Sequence, residues 1–234
     1  MRKATNLNWT ETPFGGPRRP FANRTALLTA FTIDATDGSP AAAAAVYLPL
    51  PRMRSLTVTD MTVRFGFYAV AAEEPTEAAA VAASVDALLV QARRQAAILA
   101  GHWLADELAA LTAAGAGQPT RGITAVRAAW HSQTPERGLA RLYDTGSEPA
   151  PAALADVCAA HHLHGLSLDV PPAAATTSRA ASQIPRQRVV RALAIALIAA
   201  ASAGNYQWDA LHLDAVVEAA AWDQLTDPSS TPVR

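Results

Sequence analysis

The sequence predicts an α/β protein in which helices pack on a mixed β-sheet. Two observations carry that expectation. Three strand-like stretches follow one another early in the chain, "TALLTAFTIDAT", "AAAVYLPLP" and "MTVRFGFYAV", with the β-branched and aromatic content of a sheet. From Glu74 onward the apolar period lengthens to that of a helix, and helical and strand-like stretches then succeed one another. With 234 residues, half of them hydrophobic, the chain is long enough to bury one large core or two small ones.

Residues 1–24 are polar and rich in Pro, Gly and Arg, the composition of an N-terminal arm. A domain over residues 25–226 follows, and residues 227–234 read as a frayed tail. The three early strands are close enough to form an antiparallel meander, and Asp34 falls near the C-terminal end of the first. Pro75 suits a first helical turn, and Val81, Val85, Leu88 and Ala92 share one face of a helix reaching about Arg94. "AAILAGH" is then a short buried strand, and "WLADELAALTAAGA" a helix ended by glycines. "GITAVRAAWH" and "GLARLYDT" are both strand-like, although only one of them need lie in the main sheet. "PAALADVCAAHHLHG" reads as a helix closed by Gly165, and a long loop leads to Pro185. "PRQRVVRALAIALIAAASAG" is apolar on nearly every side after Val189 and predicts the buried helix of the domain. "LHLDAVVEAAAWDQL" is the final helix. No repeat of fixed period is visible.

Composition narrows the function classes. The net charge of −1, with Lys3 the only lysine, provides no molecule-wide basic field, so nucleic-acid contact would need a local arginine cluster. Cys158 stands alone, which excludes an internal disulfide and a cysteine-built zinc site and suits a reducing compartment. The N-terminal stretch lacks the apolar core of a signal peptide, and the apolar run from Ala192 to Ala203 is shorter than the ~20 residues of a membrane span. A cytoplasmic protein with no membrane partner is expected. No nucleophile elbow and no Gly-rich phosphate loop occurs.

Three motifs stand in a suggestive order: "FTIDATDG", then "GHWLADEL", then "VRALAIAL", with "RLYDTG" and "LADVCAAHHLHG" between the last two. Over about residues 25–203 this order resembles the DEDD-type 3′–5′ exonucleases, the proofreading branch of the RNase H-like fold. The resemblance implies an RNase H-like mixed sheet and hydrolysis of single-stranded DNA or RNA from its 3′ end, with magnesium or manganese as cofactor. Two divalent cations ~3.5–4 Å apart need several carboxylates around them, activate water and stabilise the leaving oxygen. By this resemblance Asp34 and Glu107 are the catalytic and metal-binding acids, with Asp106 as a further metal candidate.

The remaining positions depart from the family. Thr36 stands at the Glu place of the first motif, Trp103 at the Asn place of the second, and Val190 and Ile195 at the His and Asp places of the third. No Asp or Glu occurs between Asp169 and Asp209. Two-metal hydrolysis is therefore expected to be weakened or lost, with Asp169 or Asp209 as loop-borne replacements to test. The acids also have ordinary readings, Asp34 as a turn or capping residue and Asp106 and Glu107 as first-turn acids favoured by the helix dipole. "HHLHG" could bind a metal or serve a helix C-terminus. Arg179, Arg186, Arg188 and Arg191 could hold phosphates in fork geometry, and Trp130 or Tyr143 could stack on bases. Paired with local acids, the same arginines would instead be a solvated helix entrance. The alternative is a non-catalytic scaffold with a protein partner, docked on apolar C-terminal helices carrying Trp208 and Trp222.

Overall fold

The computed structural model describes residues 1–7, 26–35, 41–51, 54–114, 120–132, 137–147, 151–165 and 178–220, the last segment without the side chains of 178–184. Its elements are β1 (Arg2–Thr5), β2 (Ala26–Asp34), β3 (Ala42–Leu50), β4 (Leu56–Thr57), β5 (Gly66–Ala71), α1 (Ala78–Gln95), β6 (Ile98–Gly101), α2 (Leu104–Ala114), α3 (Arg121–Ser132), β7 (Arg141–Asp144), α4 (Leu154–Ala160), β8 (Leu163–His164), α5 (Ser178–Ser202), β9 (Tyr206–Gln207), β10 (Leu211–His212) and α6 (Leu213–Ala219). The main sheet has the order β1-β5-β3-β2-β6-β7. β2, β3 and β5 form the antiparallel meander, whereas β6 pairs parallel to β2 and β7 parallel to β6. The fold is thus α/β with a mixed central sheet.

Side-chain alternation along β2 decides what each face meets. Leu28 and Ala30 join Val46, Leu48, Phe67 and the apolar residues of α4, α5 and α6 in one core. Phe31 and Ile33 join Ala45, Tyr47, Val70 and the buried faces of α1, α2 and α3 in the other. A strand covered on both faces has no polar side to show, which is why β2 is almost continuously apolar. Every residue of α5 from Ala192 to Ala200 is buried, because the helix lies against β2, β3 and β5 while α6 and β9 cover part of its outer side.

Several segments differ from the sequence expectation, among them residues 163–164 and 211–212, expected in helices and found as the short parallel pair β8 and β10. Residues 2–5, assigned to the arm, form the edge strand β1 antiparallel to β5, and the Met1 amino group is tied to Glu73 at 2.9 Å and Glu77 at 2.5 Å. "GITAVRAAWH" is helix, not strand. Its β-branched residues suggested sheet, but Gly122, Ile123, Val126 and Ala129 are the buried residues of α3, at helical spacing. Gly122 lets α3 approach α1, since a Cβ there would lie 2.4 Å from the Asp86 carbonyl oxygen, and the Ile123 N–H donates to Asp86 Oδ1 at 2.9 Å. Tertiary contact with α1 therefore overrides the weak strand propensity. α5 begins at Ser178 and carries Pro185 inside it, rather than starting at that proline. Residues 8–24 of the expected arm and the tail 227–234 lie outside the described residues. Among the described residues, no helix is long and apolar enough to cross a membrane.

Candidate functional site

The site is built where β6 turns into α2. Gly101 ends the strand, and a Cβ on it would come 2.4 Å from the Leu104 Cβ, so this corner requires glycine. Trp103 follows with φ of 53°, a left-handed conformation rare for a bulky residue. Asp144, paired with Gly101 at the end of β7, holds it there. Its Oδ1 accepts the Trp103 N–H at 3.0 Å and the Gly146 N–H at 2.9 Å, and its Oδ2 accepts the Trp130 indole N–H at 2.9 Å. The Trp103 indole N–H reaches the Gly146 carbonyl at 3.3 Å, while 43% of the residue stays exposed.

His102 lies beneath that indole, with ring centroids 4.6 Å apart. Its Nδ1 is 3.0 Å from Thr145 Oγ1, and that hydroxyl donates to the Gly101 carbonyl at 3.2 Å. The hydroxyl proton is thereby committed, so His102 donates from Nδ1 and presents Nε2 as an acceptor. Burial depresses the imidazole pKa against the opposing pull of Asp144, which keeps the ring neutral. Nε2 has no hydrogen-bond partner among the described residues.

Asp34 has the same parity as Leu28 and Ala30 and so faces α5. Arg188 meets it there, Nη2 to Asp34 Oδ2 at 2.7 Å, in a pair whose side chains are only 17% and 25% exposed. Glu107 reaches the same strand end from α2, its Oε2 accepting the Ile33 N–H at 2.9 Å. Burial pushes the Glu107 carboxyl up to about 8, and the Ile33 N–H and the Arg191 and Arg188 guanidiniums do not offset that cost. Glu107 is consequently protonated at neutral pH. The constellation of Asp34, Glu107, Arg188 and Arg191 draws on β2, α2 and α5, with the arginines on the turn of α5 nearest the end of the sheet.

The other candidate residues are placed differently. Asp106 is exposed on the rim. Arg186 is engaged away from the corner, with Asp214 at 2.7 Å and Glu218 at 3.2 Å. The side chain of Arg179, together with Thr36, Asp169 and Trp222, lies outside the described residues. Asp209 is exposed in the connection between β9 and β10. Val190 and Ile195 are 4% and 1% exposed, inside the apolar core. Trp130 is engaged by Asp144, and Tyr143 donates to Ser202 Oγ at 2.7 Å. Trp208 donates to the His161 carbonyl at 2.7 Å and packs against the core. His164 stacks on His212 with centroids 5.4 Å apart. The sequence reading passed over Asp144, His102 and Trp103 as site residues. Only the Gly-His dipeptide hinted at them.

The donor set does not fit a pair of divalent metals. A guanidinium already bonds Asp34, Asp144 accepts N–H donors on both oxygens, and His102 presents a single nitrogen. Among the described residues no group of three or more His, Cys, Asp or Glu side chains is arranged to hold a metal ion. What the corner does contain is a cavity of about 300 Å³, lined by His102, Trp103, Asp106, Glu107, Arg191 and the start of α4 around Leu154. No family model matches the sequence, and no curated protein or solved structure matches it either.

The protonated carboxyl makes stability depend on pH. A carboxyl whose pKa is higher folded than unfolded stabilises the fold fully below the unfolded value of 4.5, and that contribution is lost as pH rises through about 8. Thermal melts between pH 5 and pH 9 should therefore show a decline attributable to Glu107 of at least about 1 kcal/mol, or roughly 2–4 °C. Glu107→Gln should remove that component. An equally steep decline in the variant would place the titration elsewhere.

Proposed function

We propose that this chain is a nucleic-acid-directed protein on an RNase H-like fold, resembling the DEDD 3′–5′ exonucleases in architecture but without two-metal hydrolysis. Support for the architecture is the strand order of β5-β3-β2-β6-β7, with the first three strands of the meander antiparallel and β6 and β7 parallel to β2. The reading rests on one observation above the others, the 2.7 Å ion pair of Arg188 with Asp34. A fixed organic cation stands against the acid to which the resemblance assigns the metals. Ion pairing also removes Arg188 and Arg186 from the phosphate-binding set, leaving Arg179 and Arg191 as the arginines for single-stranded DNA or RNA. The scaffold alternative loses Trp208 to the core, and Leu56 in β4, Met61 after it and Trp103 at the corner are the large apolar residues exposed among the described ones.

The test is an assay of purified protein on 3′-labelled single-stranded DNA and RNA with magnesium or manganese. Degradation at or near background is expected, alongside oligonucleotide binding that weakens with salt by about −0.7 in logarithmic slope per phosphate neutralised. Robust 3′-end degradation that disappears in Asp34→Ala would overturn the loss of catalysis. Absence of salt-sensitive binding at low ionic strength would leave the scaffold reading in its place.

A further inference from the structure

The corner cavity unites features that a solvent-filled surface dent does not need. His102 is 4% exposed yet has an Nε2 without a hydrogen bond, and Arg191 has a buried Nε in the same condition. Buried polar groups are nearly always satisfied, by protein or by something bound. Both residues line this cavity. The Trp103 indole forms part of its wall, held in a left-handed conformation by Asp144.

We infer that the cavity binds a phosphate group directly on Arg191, with no metal between them. Arg191 is the cation of the cavity that has no ion pair among the described residues, and a guanidinium matches phosphate oxygens in fork geometry. The hydroxyl that a phosphomonoester keeps below its second ionisation donates to His102 Nε2, which an internal phosphodiester cannot do. Leu154 and the alanines beside it close the apolar side. An anion here replaces a cation at the place the resemblance gives to metals, so the inference rests on the proposed loss of two-metal chemistry.

Calorimetric titration in EDTA tests the inference, with inorganic phosphate in one arm and an eight-nucleotide single-stranded DNA, with and without a terminal phosphate, in the other. Inorganic phosphate should bind saturably at pH 6.5 with a Kd of about 1 mM or below. Arg191→Gln should reduce affinity roughly 10- to 100-fold, the loss of a charge-assisted contact, with Arg191→Lys restoring part of it and circular dichroism checking that α5 is intact. No saturable binding in either arm, or binding indifferent to Arg191→Gln in a folded protein, overturns the inference while leaving the nuclease result untouched. Binding that requires added manganese overturns both. Phosphate binding without oligonucleotide binding retains the phosphate site, assigns it to a free phosphomonoester, and removes the nucleic-acid reading.

Discussion

Ile195→Asp is expected to destabilise the protein by more than about 4 kcal/mol, enough to leave much of it unfolded at room temperature. The resemblance to exonucleases makes this the obvious substitution for restoring a metal acid to the long helix. The fold makes it the wrong one. Ile195 is 1% exposed and packs in the core shared with Leu28, Val46, Leu48 and Phe67, where a carboxylate would be cut off from water among apolar side chains. Urea unfolding followed by circular dichroism checks this. A variant with stability within about 1 kcal/mol of the parent would mean that water or the Arg191 guanidinium reaches position 195, which the apolar packing around it denies. As a control, Ile195→Val removes one methyl group and should cost only about 0.5–1.5 kcal/mol.

Arg188→Ala is expected to cost about 2–3 kcal/mol, somewhat less than the loss of one partner from a fully buried pair because solvent reaches both side chains. Arg188 is the direct ion partner of Asp34 and lies near the Glu107 carboxyl, so its removal takes a cation from between two acids. A double-mutant cycle with Asp34→Asn and Arg188→Gln separates the pair from its surroundings, and a coupling of at least about 0.5 kcal/mol is expected. Additive effects would show that the 2.7 Å contact contributes nothing and that the cation has no structural part at the centre. The same variants assayed for nuclease activity connect the energetics to function, since a chain that gained metal-dependent hydrolysis on losing Arg188 would have had its acids merely masked.

Both expectations concern α5, where sequence and structure diverge most. Its apolar composition identified it as the buried helix, and that needed only a count of apolar residues around the helical wheel. Which of its residues meets Asp34 could not be read in this way. Successive helical positions rotate by 100°, so aligning on Ala192-Leu193 selected Val190 and Ile195. Arg188 and Arg191 instead reach the end of β2, Ile195 lies on their face of α5 but one turn deeper in the apolar core, and Val190 is buried on another face. A helix that is apolar nearly all round carries no internal mark of which turn sits at the end of the sheet, and only contact with the sheet supplies one.

The sequence by itself determined the strand meander, the β6-to-α2 corner and the position of Asp34 at the end of a central strand. Each rests on local chemistry: alternation and β-branching, a glycine at a corner with no room for a Cβ, and an acid ending an apolar run. Tertiary structure alone decided that residues 121–132 are helix, that residues 2–5 add an edge strand, and that Asp144 clamps Trp103. It also decided the charge of the site. Glu107 looks like an ordinary first-turn acid in the sequence and is a neutral carboxylic acid in the fold, because desolvation is a property of what surrounds a side chain and not of its neighbours along the chain.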